Sequence, residues 1–187
     1  MKNPTGTLGS LRPETGLLVL LAAASLLLGC GPSSNFKTAL ARANAGEPEA
    51  QLEVSLMYLR GNGVKQNDTE GANWCKQAAF KGLPAAQRTY GMMLRDGAAV
   101  NRNPAQGREW LEKAANQNDV PAQMELAGTL GLFAPPFEFV EAMKWVLIAE
   151  KNGATNAPAI KKLIEPQMSA TELSQARTKA AEFGKDK

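Results

Sequence analysis

The chain has 187 residues, of which 44% are hydrophobic and 21% are charged, a composition typical of one globular domain and unlike that of disordered or fibrous proteins. It contains no histidine and only two cysteines, which excludes the usual histidine base and a cysteine-rich or histidine-containing zinc site. A formal net charge of +3 is too small to indicate a nucleic-acid partner.

The first predicted element is an apolar segment, residues 17–28, which follows Lys2 and Arg12. Its twelve residues are too few for a membrane-spanning helix, which needs about 20, but are typical of a secretory signal peptide. The segment ends in Leu27-Leu28-Gly29-Cys30, which resembles the bacterial lipobox, where the signal peptide is removed and the cysteine is lipidated. We therefore expect residues 1–29 to be removed and Cys30 to be the lipid attachment site. The alternative is an ordinary signal peptide that a cysteine happens to follow.

The lipobox resemblance also implies a location. Two acyl chains on one cysteine are enough for stable membrane anchoring. Gly31 follows the cysteine in place of the aspartate that resembles an inner-membrane retention signal, which favours the periplasmic face of the outer membrane. Residues 30–35 are interpreted as the lipidated N-terminus and a tether, of which residues 31–35 reach at most about 18 Å.

A repeat of 36 residues organises the remaining chain, residues 36–187. Each repeat has one alanine and one tryptophan at matching positions, namely Ala50, Ala86 and Ala122, and Trp74, Trp110 and Trp145. Apolar residues recur four and eight positions after each alanine, the pattern of one helix face. The period therefore predicts three helix pairs, over about residues 50–85, 86–121 and 122–156.

Helix boundaries can be predicted from capping residues. Asn67-x-x-Glu70 and Asn103-x-x-Gln106 are capping boxes that open the second helix of two repeats. Left-handed helix ends are predicted at Gly46, Gly82, Asn118 and Gly153. Because Gly46 lies one period before Gly82, residues 36–45 predict a single N-terminal capping helix. Residues 157–187 predict the C-terminal cap, with a further capping box at Ser169-x-x-Glu172.

Other recurring positions link the chain to a known family. Gly-x-x-Val turns at 61–64 and 97–100, the tryptophans, and the alanine pairs Ala78-Ala79 and Ala114-Ala115 resemble the Sel-like repeat family, a branch of the tetratricopeptide-like α-solenoids. The resemblance covers about residues 36–164. It implies an all-α fold: a short right-handed α-solenoid of about nine helices, with capping helices at both ends.

Three sets of residues have both a chemical and a structural interpretation. Cys75 aligns with Leu111 and Val146, which favours a buried core residue over a reactive or pairing thiol. One tryptophan per repeat favours a repeating core over a ligand-stacking ladder. The acid pairs Glu47/Glu49 and Glu109/Glu112 are interpreted as solvated charge rather than as carboxylates for glycoside hydrolysis.

Two features are candidate partner-binding surfaces. Between Arg60 and Arg108 there are eight basic and three acidic residues, and Arg60, Arg88 and Arg95 lie at or near the first helix of a repeat, where they would place positive charge on the concave surface. The alternative is an ordinary solvated helix surface. In repeat three, an apolar segment with Phe133 and Phe137 replaces the glycine turn. If exposed it would mark a partner site, but we favour packing beneath the C-terminal helix.

These features predict a lipid-anchored periplasmic scaffold or adaptor that binds a protein or peptide partner. The alternatives are an envelope enzyme acting on cell-wall material or β-lactams, and a purely structural envelope lipoprotein. Because the chain has no histidine and no recognisable set of metal ligands, we expect no catalytic residue, no metal and no cofactor.

Overall fold

The structure is a computed structural model that describes residues 31–133 and 135–185. These residues form nine α-helices: α1 (Ser34–Asn44), α2 (Pro48–Arg60), α3 (Asp68–Phe80), α4 (Pro84–Asp96), α5 (Pro104–Asn116), α6 (Val120–Gly128), α7 (Phe139–Lys151), α8 (Ala157–Ile164) and α9 (Ala170–Glu182). A π-helical turn, Thr129–Phe133, continues α6, and a short 3-10 helix, Glu165–Gln167, follows α8. The predicted signal peptide and Cys30 lie outside the described residues.

The helices pack in chain order. Each helix from α1 to α7 contacts the next one along the chain, and α9 returns to pack against α7. This arrangement of successive helix pairs confirms the predicted all-α solenoid, since each repeat buries its apolar face against its neighbours. In the described part of the chain, no helix is both long and apolar enough to cross a bilayer.

Of the three predicted capping boxes, one is complete and two form only the hydrogen bond of the N-cap residue. The side-chain oxygens of Asn67 and Asn103 each accept a hydrogen bond, at 3.1 Å, from the backbone N–H three residues later. Ser169 and Glu172 form a complete capping box at the start of α9. Positive φ angles end the helices at the predicted positions: Gly46 (93°), Gly82 (90°), Asn118 (65°) and Gly153 (91°).

The matching positions of the repeats form the core, with one exception. Ala50, Ala86 and Ala122 are fully buried, and so are Cys75, Leu111 and Val146. Trp110 and Trp145 are buried as expected, at 6% and 4% exposure, but Trp74 is only partly buried. The prediction of a core tryptophan therefore holds only in part for Trp74, which packs against the apolar cluster of α1 and α2 without being fully buried. No aromatic ring of the described residues packs against its indole.

The helices of repeat two approach each other most closely at two glycines. A Cβ atom on Gly107 of α5 would lie 2.7 Å from the carbonyl oxygen of Gly91 in α4 and 2.8 Å from the backbone nitrogen of Arg95. Both neighbours are backbone atoms, which cannot move without shifting α4. The absence of a side chain at Gly107 therefore sets the distance between α4 and α5, as expected for the small residue three positions before each tryptophan.

The N-terminal helix begins earlier than predicted. Ser33 caps α1, accepting a hydrogen bond from the Phe36 N–H at 3.1 Å, and its own N–H donates to the Gly63 carbonyl at 2.7 Å. Ser33 is thereby attached to the turn between α2 and α3. Of the residues 31–35 interpreted as a tether, only Gly31 and Pro32 precede this attachment.

Candidate functional site

Two of the predicted candidates, Arg95 and Phe133, meet in a cleft between the end of α4 and the end of α6. The cleft has a volume of about 440 Å³ and is lined by Arg95, Asp96, Arg102, Pro104, Thr129 and Phe133. We call it the Phe133 cleft. The guanidinium carbon of Arg95 lies 5.9 Å from the centroid of the Phe133 ring, within the range of a cation–π contact. The Phe133 side chain is nevertheless 66% exposed.

Arg95 is held in place by residues of two helices. It forms ion pairs of 2.7 Å with Asp96 and with Glu125 of α6, and it donates to Thr129 Oγ1 at 3.3 Å. The hydrogen bond to Asp96 raises the pKa of Arg95, outweighing the opposing effect of burial. The same bond lowers the pKa of Asp96. The positive charge of Arg95 is compensated by Asp96 and Glu125, and its guanidinium lies against the Phe133 ring. The exposed Arg102 adds a further positive charge to the cleft.

The other two candidate arginines lie elsewhere. Arg88 forms a 3.0 Å ion pair with Asp119, whose carboxylate also accepts a hydrogen bond from Ala122 N–H at the start of α6. Arg60 is exposed and lines a separate cavity of about 260 Å³ beside Asn35. The structure therefore does not bring Arg60, Arg88 and Arg95 into one positive surface. Arg88 and Arg95 each have a partner about 30 residues away, since Asp119 caps α6 and Glu125 lies within it, and no local sequence pattern indicated these two pairs.

The apolar segment of repeat three is partly packed and partly exposed. Phe139 and Val140 pack against the core, in line with the favoured expectation for this segment. Phe137 stacks on Phe139 at a centroid distance of 5.5 Å but stays 46% exposed, beside a cavity of about 380 Å³ between α7 and α9. Phe133 departs from that expectation, because it lies against Arg95 and not beneath the C-terminal helix.

Cys75 has the environment of a core residue. Its side chain is fully buried, and its thiol lies 3.6 Å from the Ala86 carbonyl. Burial raises the pKa of Cys75 to about 12. A thiol of this kind is protonated at neutral pH, which makes it a poor nucleophile.

The members of the acidic pairs are ion-paired or exposed. Glu47 and Glu112 are in ion pairs with Arg42 and Arg108, at 2.7 and 2.9 Å, and Glu109 is exposed. Within residues 31–133 and 135–185, no three aspartate, glutamate or cysteine side chains lie close enough together to hold a metal ion.

Comparisons with known proteins agree with the repeat architecture. Residues 48–82 and 84–119 match the model of the Sel1 repeat. Among solved structures, a Sel1 repeat protein from Oxalobacter formigenes is 31% identical, with a TM-score of 0.62, and the alignment covers 72% of this chain and 99% of that one. A search of the curated proteins gives no match.

A second solved structure is a protective antigen present in uropathogenic Escherichia coli strains, which displays an SLR fold. It is 25% identical, with a TM-score of 0.71. The alignment covers 79% of this chain but 32% of the antigen, so the chain spans about a third of the length of that protein.

Proposed function

Because the chain belongs to the Sel1 repeat family, we propose that it is a lipid-anchored scaffold or adaptor of the cell envelope that binds a protein or peptide partner on its solenoid surface. The Sel1 repeat is a protein-interaction scaffold fold, in which stacked helix pairs leave an extended surface for a partner. The observation that carries the proposal is Phe133, a large side chain that is 66% exposed yet fixed against a salt-bridged arginine. Ordered, exposed aromatic residues are typical centres of protein interfaces.

The Phe133 cleft combines the features that such a contact needs. An aromatic ring provides apolar area, and the exposed Arg102 provides a charge at the rim. Arg95 is already paired with Asp96 and Glu125, so the arginine that supports the ring does not have to be immobilised when a partner binds. A surface that is ordered beforehand loses less conformational entropy on binding.

The partner can be sought by crosslinking in intact cells. A photoreactive side chain at the position of Arg102 should capture a defined protein, and Phe133→Ala should reduce this capture at least tenfold, as expected for an interface centre. Leu163→Ala removes a similarly exposed apolar side chain, 59% exposed on α8, and should leave capture unchanged. Equal capture by the wild type and Phe133→Ala would contradict the proposal.

The membrane anchor depends on Cys30, which follows the signal-like segment in the sequence. Labelling with a palmitate analogue should mark the wild type, and Cys30→Ala should remove the label and the membrane association. Cys75→Ala is the matched control, because that thiol is buried and should be irrelevant to labelling. Label retained by Cys30→Ala would refute the anchor.

The alternative of an enzyme acting on β-lactams has little to support it. Ser34 and Lys37 have the Ser-x-x-Lys spacing used by β-lactam-reactive enzymes. Both side chains are exposed on the first turn of α1, where no buried environment activates the serine.

A further inference from the structure

A groove between α1 and α3 takes no part in the function proposed above. It has a volume of about 850 Å³, and its walls are the C-terminal end of α1, the start of α2 and one face of α3. We call it the α1–α3 groove. The side chains that matter for its chemistry are those of Asn44, Gln51, Trp74, Lys76, Phe80 and Lys81.

One buried glutamine recurs in every repeat. Gln51, Gln87 and Gln123 are 36 residues apart, and each Nε2 donates to a backbone carbonyl eight residues earlier, at 3.3, 3.3 and 3.1 Å. In repeats two and three the Oε1 atom is also satisfied. Gln87 Oε1 accepts from Gln117 Nε2 at 2.7 Å, and Gln123 Oε1 accepts from Asn152 Nδ2 at 3.2 Å.

Repeat one lacks this second hydrogen bond. In repeat one, the residue that corresponds to Gln117 and Asn152 is Lys81. Its Nζ donates to the Gly46 carbonyl at 2.5 Å and not to Gln51. Gln51 is only 3% exposed, and its Oε1 has no hydrogen-bond partner among the described residues. Buried acceptors are nearly always satisfied, and Gln51 is one of the residues that line the α1–α3 groove, so its buried, unpartnered oxygen at the groove wall points to a missing donor.

The tryptophan of repeat one also lacks a contact that the others have. Trp110 packs edge-on against Phe80 and Tyr90, at centroid distances of 5.1 and 5.7 Å, and Trp145 packs against Phe183 at 5.5 Å. Trp74 lines the groove and has no such ring among the described residues. One period before Phe80 the chain has Asn44, which cannot supply a ring.

We propose that the α1–α3 groove binds a peptide segment of a partner protein, with an aromatic side chain against Trp74 and an N–H group that donates to Gln51 Oε1. Repeat two fills both positions with side chains of the chain itself, Phe80 against Trp110 and Gln117 beside Gln87, so it provides the template for the ligand. Lys76 and Lys81 outnumber Glu70 in the groove, which favours acidic residues beside the aromatic one. This site is separate from the Phe133 cleft.

The ligand chemistry can be tested with peptide pools on the full-length chain in detergent. The probe pool consists of capped heptapeptides with a central phenylalanine and with aspartate, asparagine, glycine or serine at the other positions. Matched pools carry leucine in place of phenylalanine, or lysine in place of aspartate. We expect at least fivefold enrichment of the probe pool over either matched pool, measured by mass spectrometry of the retained peptides. Equal retention of the three pools would overturn the proposal.

Two variants supply the missing groups from the chain itself without removing any core residue. Asn44→Phe places a ring where Phe80 lies in the next repeat. Lys81→Gln introduces the amide that Gln117 provides there. Each should reduce binding of an enriched peptide at least tenfold, and Lys81→Gln should also raise the melting temperature, because it pairs the buried Gln51 oxygen. Unchanged peptide binding by Asn44→Phe would refute the inference, provided that circular dichroism shows the same helical content.

The control separates this inference from the proposed function. Phe133→Ala should leave peptide binding to the groove unchanged, since the two sites share no residue. If no peptide pool is enriched while the cellular partner is still captured near Arg102, the groove inference is wrong and the proposed function stands. If peptide binding is lost in Asn44→Phe but no partner is captured at the cleft, the groove inference stands without the proposed contact.

Discussion

Cys75 illustrates how one position in a repeat fixes the chemistry of a side chain. The cysteine takes the place of Leu111 and Val146, and burial raises the pKa of its thiol to about 12. The thiolate is the nucleophilic form of cysteine, so this residue should be inert while the chain is folded.

We therefore expect Cys75 to react with iodoacetamide at pH 8 about 10³-fold more slowly in the folded chain than in denaturant, because little thiolate is present. The measurement is the rate of alkylation at the Cys75 peptide, followed by mass spectrometry with the Cys30→Ala variant. Similar rates in both states would show that the thiol is accessible.

At this scale the sequence predicts the repeated positions well and the unrepeated ones poorly. The burial of Ala50 and Cys75 could be inferred because small or apolar residues stand at the equivalent positions of the other repeats. The pairing of Arg95 with Glu125 could not, since a charge partner one repeat away leaves no periodic signal. The partial exposure of Trp74 could not be inferred from Asn44 at the position of Phe80, since Asn116 stands at the same position one repeat before the buried Trp145.

At the scale of helices, the α4–α5 contact depends on the lack of a side chain. Gly107 of α5 lies against backbone atoms of Gly91 and Arg95, whereas a Cβ on Gly71 of α3 would first meet the Leu59 side chain, at 2.6 Å. A side chain can rotate away, but a helix backbone cannot move alone.

Gly107→Ala should therefore destabilise the fold by about 2 kcal/mol, because overpacking outweighs the gain of about 1 kcal/mol in helix propensity. Gly71→Ala is the matched comparison and should cost less. Both values can be measured by urea unfolding followed by circular dichroism. A smaller loss for Gly107→Ala than for Gly71→Ala would contradict this account of the contact.

The C-terminal helix α9 is attached to α7 by a charge cluster. Glu141 of α7 accepts hydrogen bonds from Lys144, at 2.8 Å, and from Lys179 of α9. Burial alone would raise the pKa of Glu141, but the two lysines outweigh it, and the pKa is lowered. A carboxylate with a lowered pKa in the folded state stabilises that state above its unfolded pKa of about 4.3, and the contribution is lost as the pH falls further.

We expect the melting temperature of the wild type to fall more steeply between pH 5 and about pH 3 than that of Glu141→Gln. At pH 7 the variant should be less stable by about 0.5–1 kcal/mol, a value typical of a partly exposed ion pair. Glu109→Gln, at an exposed position of α5, serves as the control and should behave as the wild type. Parallel pH profiles for all three proteins would exclude a role of Glu141 in attaching α9.

At the scale of the whole molecule, the solenoid is not uniform along its length. The core around α5 to α9 contains 17 buried apolar residues, whereas the core between α1 and α2 contains six. Ion pairs such as Arg95–Glu125 and Arg108–Glu138 also join repeat two to repeat three. In a linear array, local stability follows such nearest-neighbour contacts.

Amide hydrogen exchange should therefore be faster in α1 and α2 than in α6 and α7. We expect a difference of at least tenfold in protection, measured by mass spectrometry of the native chain. A peptide bound in the α1–α3 groove should increase protection in α1 to α3. Uniform exchange along the chain would indicate that the solenoid unfolds as one cooperative unit.

The overall architecture is the part that the sequence predicts best, because the period, the capping residues and the glycine ends all indicate the same helix pairs. The π-helical turn of repeat three was not predicted, and neither was the placement of Phe133, which lies against Arg95 of the preceding repeat. The α1–α3 groove was not predicted either, because its walls come from three different helices.

The attachment of Ser33 to the Gly63 carbonyl affects how the molecule would carry a mechanical load. In a chain anchored through Cys30, a pull from the membrane reaches Ser33 after two intervening residues, Gly31 and Pro32. The force then divides between the axis of α1 and the turn that joins α2 to α3. Repeat one would therefore respond to tension as a unit, with the α1–α3 groove between the two elements that are pulled.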